Sequence, residues 1–148
     1  MRIVPVLCVS LHRFVEDRRS PREEREIEAF VAALRETMAT LGGRTVVMAS
    51  ADLAHVGPQF GDPHPITPGQ LREVADADRE MLEFVEAGDA EAFFRAVARD
   101  EDRRRICGLP PVYTLLRLLP DAWGRLLCYS QWPDPQGTVT FAAVALYA

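Results

Sequence analysis

The side chains in this sequence best suited to chemistry are an acid and an imidazole three residues apart, and a thiol set beside arginines. Asp52 and His55 stand in SADLAHVGP, directly after the apolar run TVVMAS. Cys107 stands in RRICGLPPVYTLL, behind Arg103, Arg104 and Arg105 and ahead of Gly108 and a pair of prolines. Carboxylate, imidazole and thiolate are the groups that bind transition metals or move protons. A carboxylate beside an imidazole fixes its tautomer, raises its basicity and steadies it as a metal ligand. If the chain between them turns helically, the three-residue separation puts both on one face. The spacing is common by chance, and it also fits Asp52 as a turn cap with His55 as a satisfied loop residue. Cys8 (VPVLCVS) and Cys128 (RLLCYSQ) lie in apolar strand-like sequence, as small structural residues do. Cys107 instead lies between positive charge and a helix start, both of which stabilise a thiolate. The plainer role for it is a small residue in a tight Cys-Gly turn.

Other polar residues carry less. His64, in GDPHPI, reads as a solvated loop residue. His12 follows the first apolar run and could border the same cleft. The arginine triplet could draw an anion toward the cleft, or simply solvate a helix end and its dipole. Trp123 and Trp132 read as core or edge packing. Phosphate-binding glycine fingerprints and a serine nucleophile elbow are absent from the sequence.

The elements that must position these groups follow from periodicity. Residues 3–9 are apolar and rich in β-branched side chains, as a strand buried on both faces should be, with Pro5 suggesting an edge or a bulge. Ser20, Pro21 and Glu23 have the order of a helix cap, first position and third position. Ile27, Phe30, Val31 and Leu34 then recur at helical spacing, and Gly42-Gly43 closes the helix. Residues 44–50 predict a second buried strand. HVGPQFGDPHPITPG, with four prolines and three glycines, predicts an irregular loop of the kind that lines functional sites. Thr67 and Pro68 open a helix with Leu71, Val74, Met81, Leu82 and Val85 on its apolar side. Gly88-Asp89 breaks it before a companion helix over residues 90–99, and a third helical piece spans 110–119. Residues 126–132 and 138–147 predict two strands joined by the turn-rich PDPQG. The order describes one α/β domain over residues 1–148, layered, with a mixed sheet.

Composition bounds the partners. The chain has 148 residues, 48% of them apolar and 26% charged, which is ordinary for a globular domain. A net charge of −5 argues against a general nucleic-acid binder. No apolar run approaches the roughly 20 residues of a membrane span. The N-terminal run is short, holds Pro5 and leads into charge rather than a cleavage site, so it fits a core strand better than a signal peptide. Three unevenly spaced cysteines make no disulfide framework, and a reducing cytoplasm is the expected compartment.

Taken with these segments, the chain from IVPVLCVSL to TVTFAAVAL resembles the MEMO family, whose bacterial members are called AmmeMemoRadiSam system protein B. That family is similar in fold to class III non-haem iron dioxygenases. The resemblance implies a layered α/β/α architecture with a mixed sheet, of which this chain matches the C-terminal portion. The family domain is longer, and its N-terminal half, which supplies further metal-ligand histidines, has no counterpart here. By resemblance, Asp52, His55 and Cys107 share a pocket as the catalytic residues, with His55 as metal ligand or general base, Cys107 as metal ligand or redox-active thiol, and Asp52 as the orienting partner of His55. Such a donor set suits iron, copper or zinc rather than magnesium or calcium. The implied activity is metal-dependent, dioxygenase-like oxidation of a small molecule. Two protein ligands hold a metal poorly, since catalytic sites normally use three. The alternative is a non-catalytic module recognising phosphorylated peptides or other anions, or an inactive fragment that needs the missing half. AMMECR1-like and radical-SAM proteins are partners by family association. An uncovered sheet edge predicts a homo-oligomer.

Overall fold

A computed structural model describes residues 3–148 as helices and an antiparallel sheet, the α/β class that the element order implies. The helices are α1 (His12–Glu16), α2 (Arg25–Thr40), α3 (Pro68–Glu86), α4 (Ala90–Ala98) and α5 (Leu109–Leu118). The strands are β1 (His55–Val56), β2 (Trp123–Trp132) and β3 (Thr138–Tyr147), in the spatial order β1-β3-β2.

Local chemistry accounts for most boundaries. At Thr67 a capping box forms: its hydroxyl accepts from the Gln70 N–H at 3.3 Å, and the Gln70 side chain accepts from the Thr67 N–H at 2.9 Å. Pro68 follows at the first helical position, where a missing N–H costs nothing. Gly88 ends the segment at φ +70°, where a Cβ would lie 2.1 Å from the Ala122 carbonyl oxygen, so only glycine fits. One residue on, Asp89 caps α4 by accepting the Ala92 N–H at 2.8 Å. Ser20 does cap, accepting the Arg22 N–H at 3.0 Å, but Pro21–Glu23 form a separate 3₁₀ turn. Extended backbone at Glu24 delays α2 to Arg25. The residues after the first apolar run, unassigned by periodicity, form α1, whose Phe14 and Val15 are buried.

The β2–β3 hairpin pairs Trp123 with Tyr147 and Trp132 with Val139, with a bulge between Leu126 and Cys128. In its connection the Asp134 carboxylate accepts the Gln136 N–H at 2.8 Å, and the Thr138 hydroxyl donates to the Asp134 carbonyl at 2.8 Å. The inner face of the hairpin lies on α3, with α4 and α5 behind it. The core between them contains Met81, Phe93, Val97, Tyr113 and Leu116, together with Phe14 and Val15. Trp123 and Trp132 are edge rather than core residues, both more than half exposed on β2, and Trp123 stacks on Tyr147.

Two expected strands are not formed. Residues 3–9 and 44–50 run without ladder partners among the described residues, although apolar and β-branched composition suits both to a sheet. Composition sets a strand's tendency to extend, whereas the ladder needs neighbours to supply donors and acceptors. Burial on both faces fails with the ladder: Val47 and Ala49 pack on the core, while Val46 is 84% and Met48 81% exposed. In the first segment Leu7 is 96% exposed. All pairings of the described sheet are therefore antiparallel; parallel neighbours for a mixed sheet would have had to come from these segments. The proline-rich loop is less irregular than its composition suggests, since it begins with β1 and contains a 3₁₀ turn at Pro58–Phe60. No helix among the described residues is long and apolar enough to cross a membrane.

Candidate metal centre

The segment carrying Asp52 and His55 is pinned from both sides by backbone. Toward β3, the Leu53 N–H donates to the Thr140 carbonyl at 2.8 Å, and the Thr140 N–H donates to the Ala54 carbonyl at 2.9 Å. Toward the chain preceding α5, the His55 N–H donates to the Arg104 carbonyl at 2.7 Å and the Cys107 N–H to the Leu53 carbonyl at 3.3 Å. Residues 52–55 thus act as an inner strand between β3 and the Cys107 segment. Leu53 and Ala54 are buried and hold it there.

These bonds bring the three residues together. One ligand atom each from Asp52, His55 and Cys107 lies within 4.8 Å of the other two. The His55 Nε2 is 3.9 Å from an Asp52 carboxylate oxygen. The convergence does not come from a helical turn, since the chain is extended here. His55 is the most enclosed of the three, its ring edge-to-face with Phe60 at 5.0 Å between centroids. Its Nδ1 faces two carbonyl oxygens, those of Leu53 at 3.1 Å and Arg105 at 3.2 Å. Carbonyls only accept, so Nδ1 carries the proton and the Nε2 lone pair is free to bind a cation.

The thiol is not in the cationic setting that the arginine triplet suggests. Arg104 is buried and ion-paired with Asp78 on α3 and with Asp100. The Arg105 guanidinium binds the Asp62 carboxylate at 2.8 Å and the His55 carbonyl at 3.2 Å, tying down the proline-rich loop. That contact, with the Gly57 N–H, holds the Asp62 carboxyl below the ordinary carboxylate range. Burial pushes the Cys107 thiol up, and the charges of Asp52 and Asp102 push it further. Its Sγ donates to the Asp52 carbonyl at 3.3 Å. Cys107 is accordingly a thiol at neutral pH, in acidic surroundings that favour a cation over an anion.

The loop leading to Cys107 is held in an unusual conformation. Glu101, Asp102 and Arg105 all adopt left-handed backbone, with φ of +59°, +53° and +52°. The Asp102 carboxylate steadies the turn by accepting the Ile106 N–H at 2.8 Å. Beside Cys107 opens a shallow depression of about 470 Å³, lined by Cys8, Ser10, His12, Asp102, Arg105 and Cys107 among apolar side chains. His12 therefore borders the cleft, as its place after the first apolar run suggested, although its Nε2 pairs with Glu16 at 3.4 Å. His64 is exposed in its loop and lies outside the cluster.

Asp78 and Thr140 were not singled out from the sequence, and Arg104 was read there only as one of an arginine triplet. Asp78 is fully buried; it is bonded to Arg104, to the Thr140 hydroxyl at 2.6 Å and to the Tyr129 hydroxyl at 3.0 Å. A signal for it exists, because position 78 falls on the α3 stripe between Val74 and Met81, where a carboxylate must be paired if the helix packs.

The sequence pattern of the family described as Memo-like protein matches residues 1–145. A MEMO1 family protein of Aquifex aeolicus (strain VF5) is 28% identical over 107 residues, covering 69% of this chain. The chain spans only 27% of that relative's length.

Two outcomes follow from this geometry. A Cβ at Gly108 would lie 2.7 Å from the Asp52 carbonyl oxygen, although its φ of −71° suits any residue. Gly108→Ala should cost about 1–3 kcal/mol in thermal unfolding by forcing the two ligand segments apart. In a chain with Cys8→Ser and Cys128→Ser, iodoacetamide should alkylate Cys107 slowly at pH 7. The rate should climb about tenfold per pH unit without levelling below pH ~8.5. A plateau near neutrality would mean that an arginine does face the thiol.

Proposed function

The chain belongs to the Memo-like protein family, and from that membership we propose that it binds a transition metal, iron(II), copper or zinc, through His55, Cys107 and Asp52. The observation that carries this reading is the approach of one nitrogen, one sulfur and one carboxylate oxygen to within 4.8 Å of one another. The donor set fits such an ion. The His55 lone pair is pre-oriented by the bonds at Nδ1, a thiol beside carboxylates gains by giving its proton up to a cation, and nitrogen with sulfur excludes magnesium and calcium on preference. A metal bound there would supply Lewis acidity or redox chemistry to a small molecule seated in the adjoining depression, in the manner of a dioxygenase-like oxidoreductase. The protein's own part would rest on its side-chain geometry. His55 is held in one tautomer, Asp52 flanks it, and Phe60 and Leu53 restrict water on the inner side.

The alternative of a module for phosphorylated or anionic ligands finds less support. Arg104 and Arg105 are committed to Asp78 and Asp62, and the charges that bear on Cys107 are acidic. Self-association is a separate proposal. Ile3, Val4, Leu7 and Val9 are between 74% and 96% exposed, and Val46 and Met48 exceed 80%. Extended apolar segments with free backbone groups pair readily with a second chain.

Titration of zinc, iron(II) or copper into the purified chain tests the metal reading. His55→Ala and Cys107→Ala should each weaken binding at least about tenfold, and Asp52→Asn should weaken it less. Stoichiometric binding that survives both alanine substitutions would overturn the assignment. Light scattering tests the second proposal: a dimer or larger species is expected, and a monomer at every concentration would refute it.

A further inference from the structure

We propose that Asp78 is a positioning residue for the candidate metal centre, registering the His55 and Cys107 segments against each other through Arg104 and Thr140. The inference rests on the metal reading of the preceding subsection for one of its two readouts, and on geometry alone for the other.

Asp78 sits mid-way along α3, fully buried, and is not part of the three-ligand cluster. One of its carboxylate oxygens receives the Arg104 guanidinium. The backbone carbonyl of that same Arg104 accepts the His55 N–H at 2.7 Å, and Cys107 follows three residues later. The other oxygen receives the Thr140 hydroxyl at 2.6 Å, and the Thr140 oxygen in turn accepts the Ala54 N–H at 2.9 Å. The hydroxyl thus spends its single proton on Asp78 and a lone pair on the ligand segment, which makes it a directional link. Tyr129 also donates to the Thr140-bonded oxygen at 3.0 Å, and Gln131 donates to Tyr129 at 3.0 Å. Asp78 is therefore one bond from Arg104 and from Thr140, and each of these is one bond from the inner strand that holds His55. A slip of either segment by one residue would leave a buried charge without a partner, which the low-dielectric interior strongly disfavours.

The molecule supplies its own control. A second polar cluster joins α2, α4 and α5: Arg117 binds Glu28 at 2.7 Å and Tyr113 at 3.2 Å, and Tyr113 binds Glu91 at 2.6 Å. It is bonded to neither ligand segment.

The test compares Asp78→Asn and Thr140→Val with the control Arg117→Met, using two measurements. Long-range ¹H–¹⁵N correlations of the histidine rings report the His55 tautomer without any metal. Cobalt(II) titration, followed through the thiolate-to-metal absorption, reports the assembled centre. The intact chain should show His55 as the Nδ1–H tautomer. Both hub variants should lose that uniform state and weaken cobalt binding about tenfold or more, while Arg117→Met lowers thermal stability and leaves both readouts unchanged. If Asp78→Asn fails to fold, Thr140→Val, which preserves volume, decides alone. Hub variants that keep the His55 spectrum, or change it no more than the control at equal loss of stability, overturn the proposal. Should the intact chain bind no cobalt while the tautomer still responds only to the hub variants, the positioning role stands and the metal reading falls.

Discussion

A carboxylate with no access to water has to be satisfied from within, and the placement of Asp78 on the apolar stripe of α3 imposes that demand on everything around it. Leaving such a charge unpaired costs about 3–5 kcal/mol, a large fraction of the stability of a domain this size. Burial pushes its carboxyl up from the ordinary carboxylate range, against the pull of Thr140, Arg104 and Tyr129. The groups that meet the demand come from three places: the loop before α5, β2 and β3. Docking α3 on the hairpin and seating the Cys107 loop are consequently one event. An apolar residue at position 78 would pack α3 equally well, but it would leave the Arg104 segment free to settle elsewhere.

Electrostatics divides the molecule's arginines into those that build and those that are free. A sequence with three arginines ahead of a cysteine suggests a positive approach to the thiol. The structure turns Arg104 inward and Arg105 toward Asp62, and the left-handed backbone at Asp102 and Arg105 lets neighbouring side chains diverge so sharply. The charges that bear on the Cys107 thiol are those of Asp52 and Asp102. A site of this sign opposes a free thiolate, and it suits the proposed metal ion, because a cation would neutralise the carboxylates and displace the thiol proton together.

Much of the helical architecture was legible because its signals are local. The Thr67 capping box, the Gly88-Asp89 break and the prolines opening α5 are short-range chemistry, and each stands where periodicity put it. The hairpin and its PDPQG connection were legible for the same reason. The proximity of Asp52, His55 and Cys107 was expected chiefly from family resemblance; spacing put Asp52 and His55 on one face only on condition of a helical turn, which does not form there. Residues 3–9 and 44–50 mark the limit. Their composition specifies extended backbone, but a ladder is a property of pairs, and one strand's sequence does not state whether its partner is present. The Asp78 hub was missed because it is assembled from residues up to 62 positions apart, and an acid on the α3 stripe does not by itself name its partners.

The same separation decides how well the centre can perform. Its donors stand on two segments whose backbones are already bonded to each other and to β3, so most of the ordering that a metal would require is completed on folding. His55 adds a ring oriented by the two carbonyls that face its Nδ1. What limits affinity is therefore the number and quality of donors rather than their disorder. Asp52 is more than half exposed and keeps its carboxylate hydrated, so it contributes less than a buried ligand would. On the proposed metal reading, three donors of this kind would leave an ion with open positions, the condition for binding and activating a small molecule. The depression beside Cys107, with His12, Asp102 and Arg105 on its wall, is where such a molecule would have room. The constraint set by one buried carboxylate thus reaches the surface in the placement of the His55 and Cys107 segments.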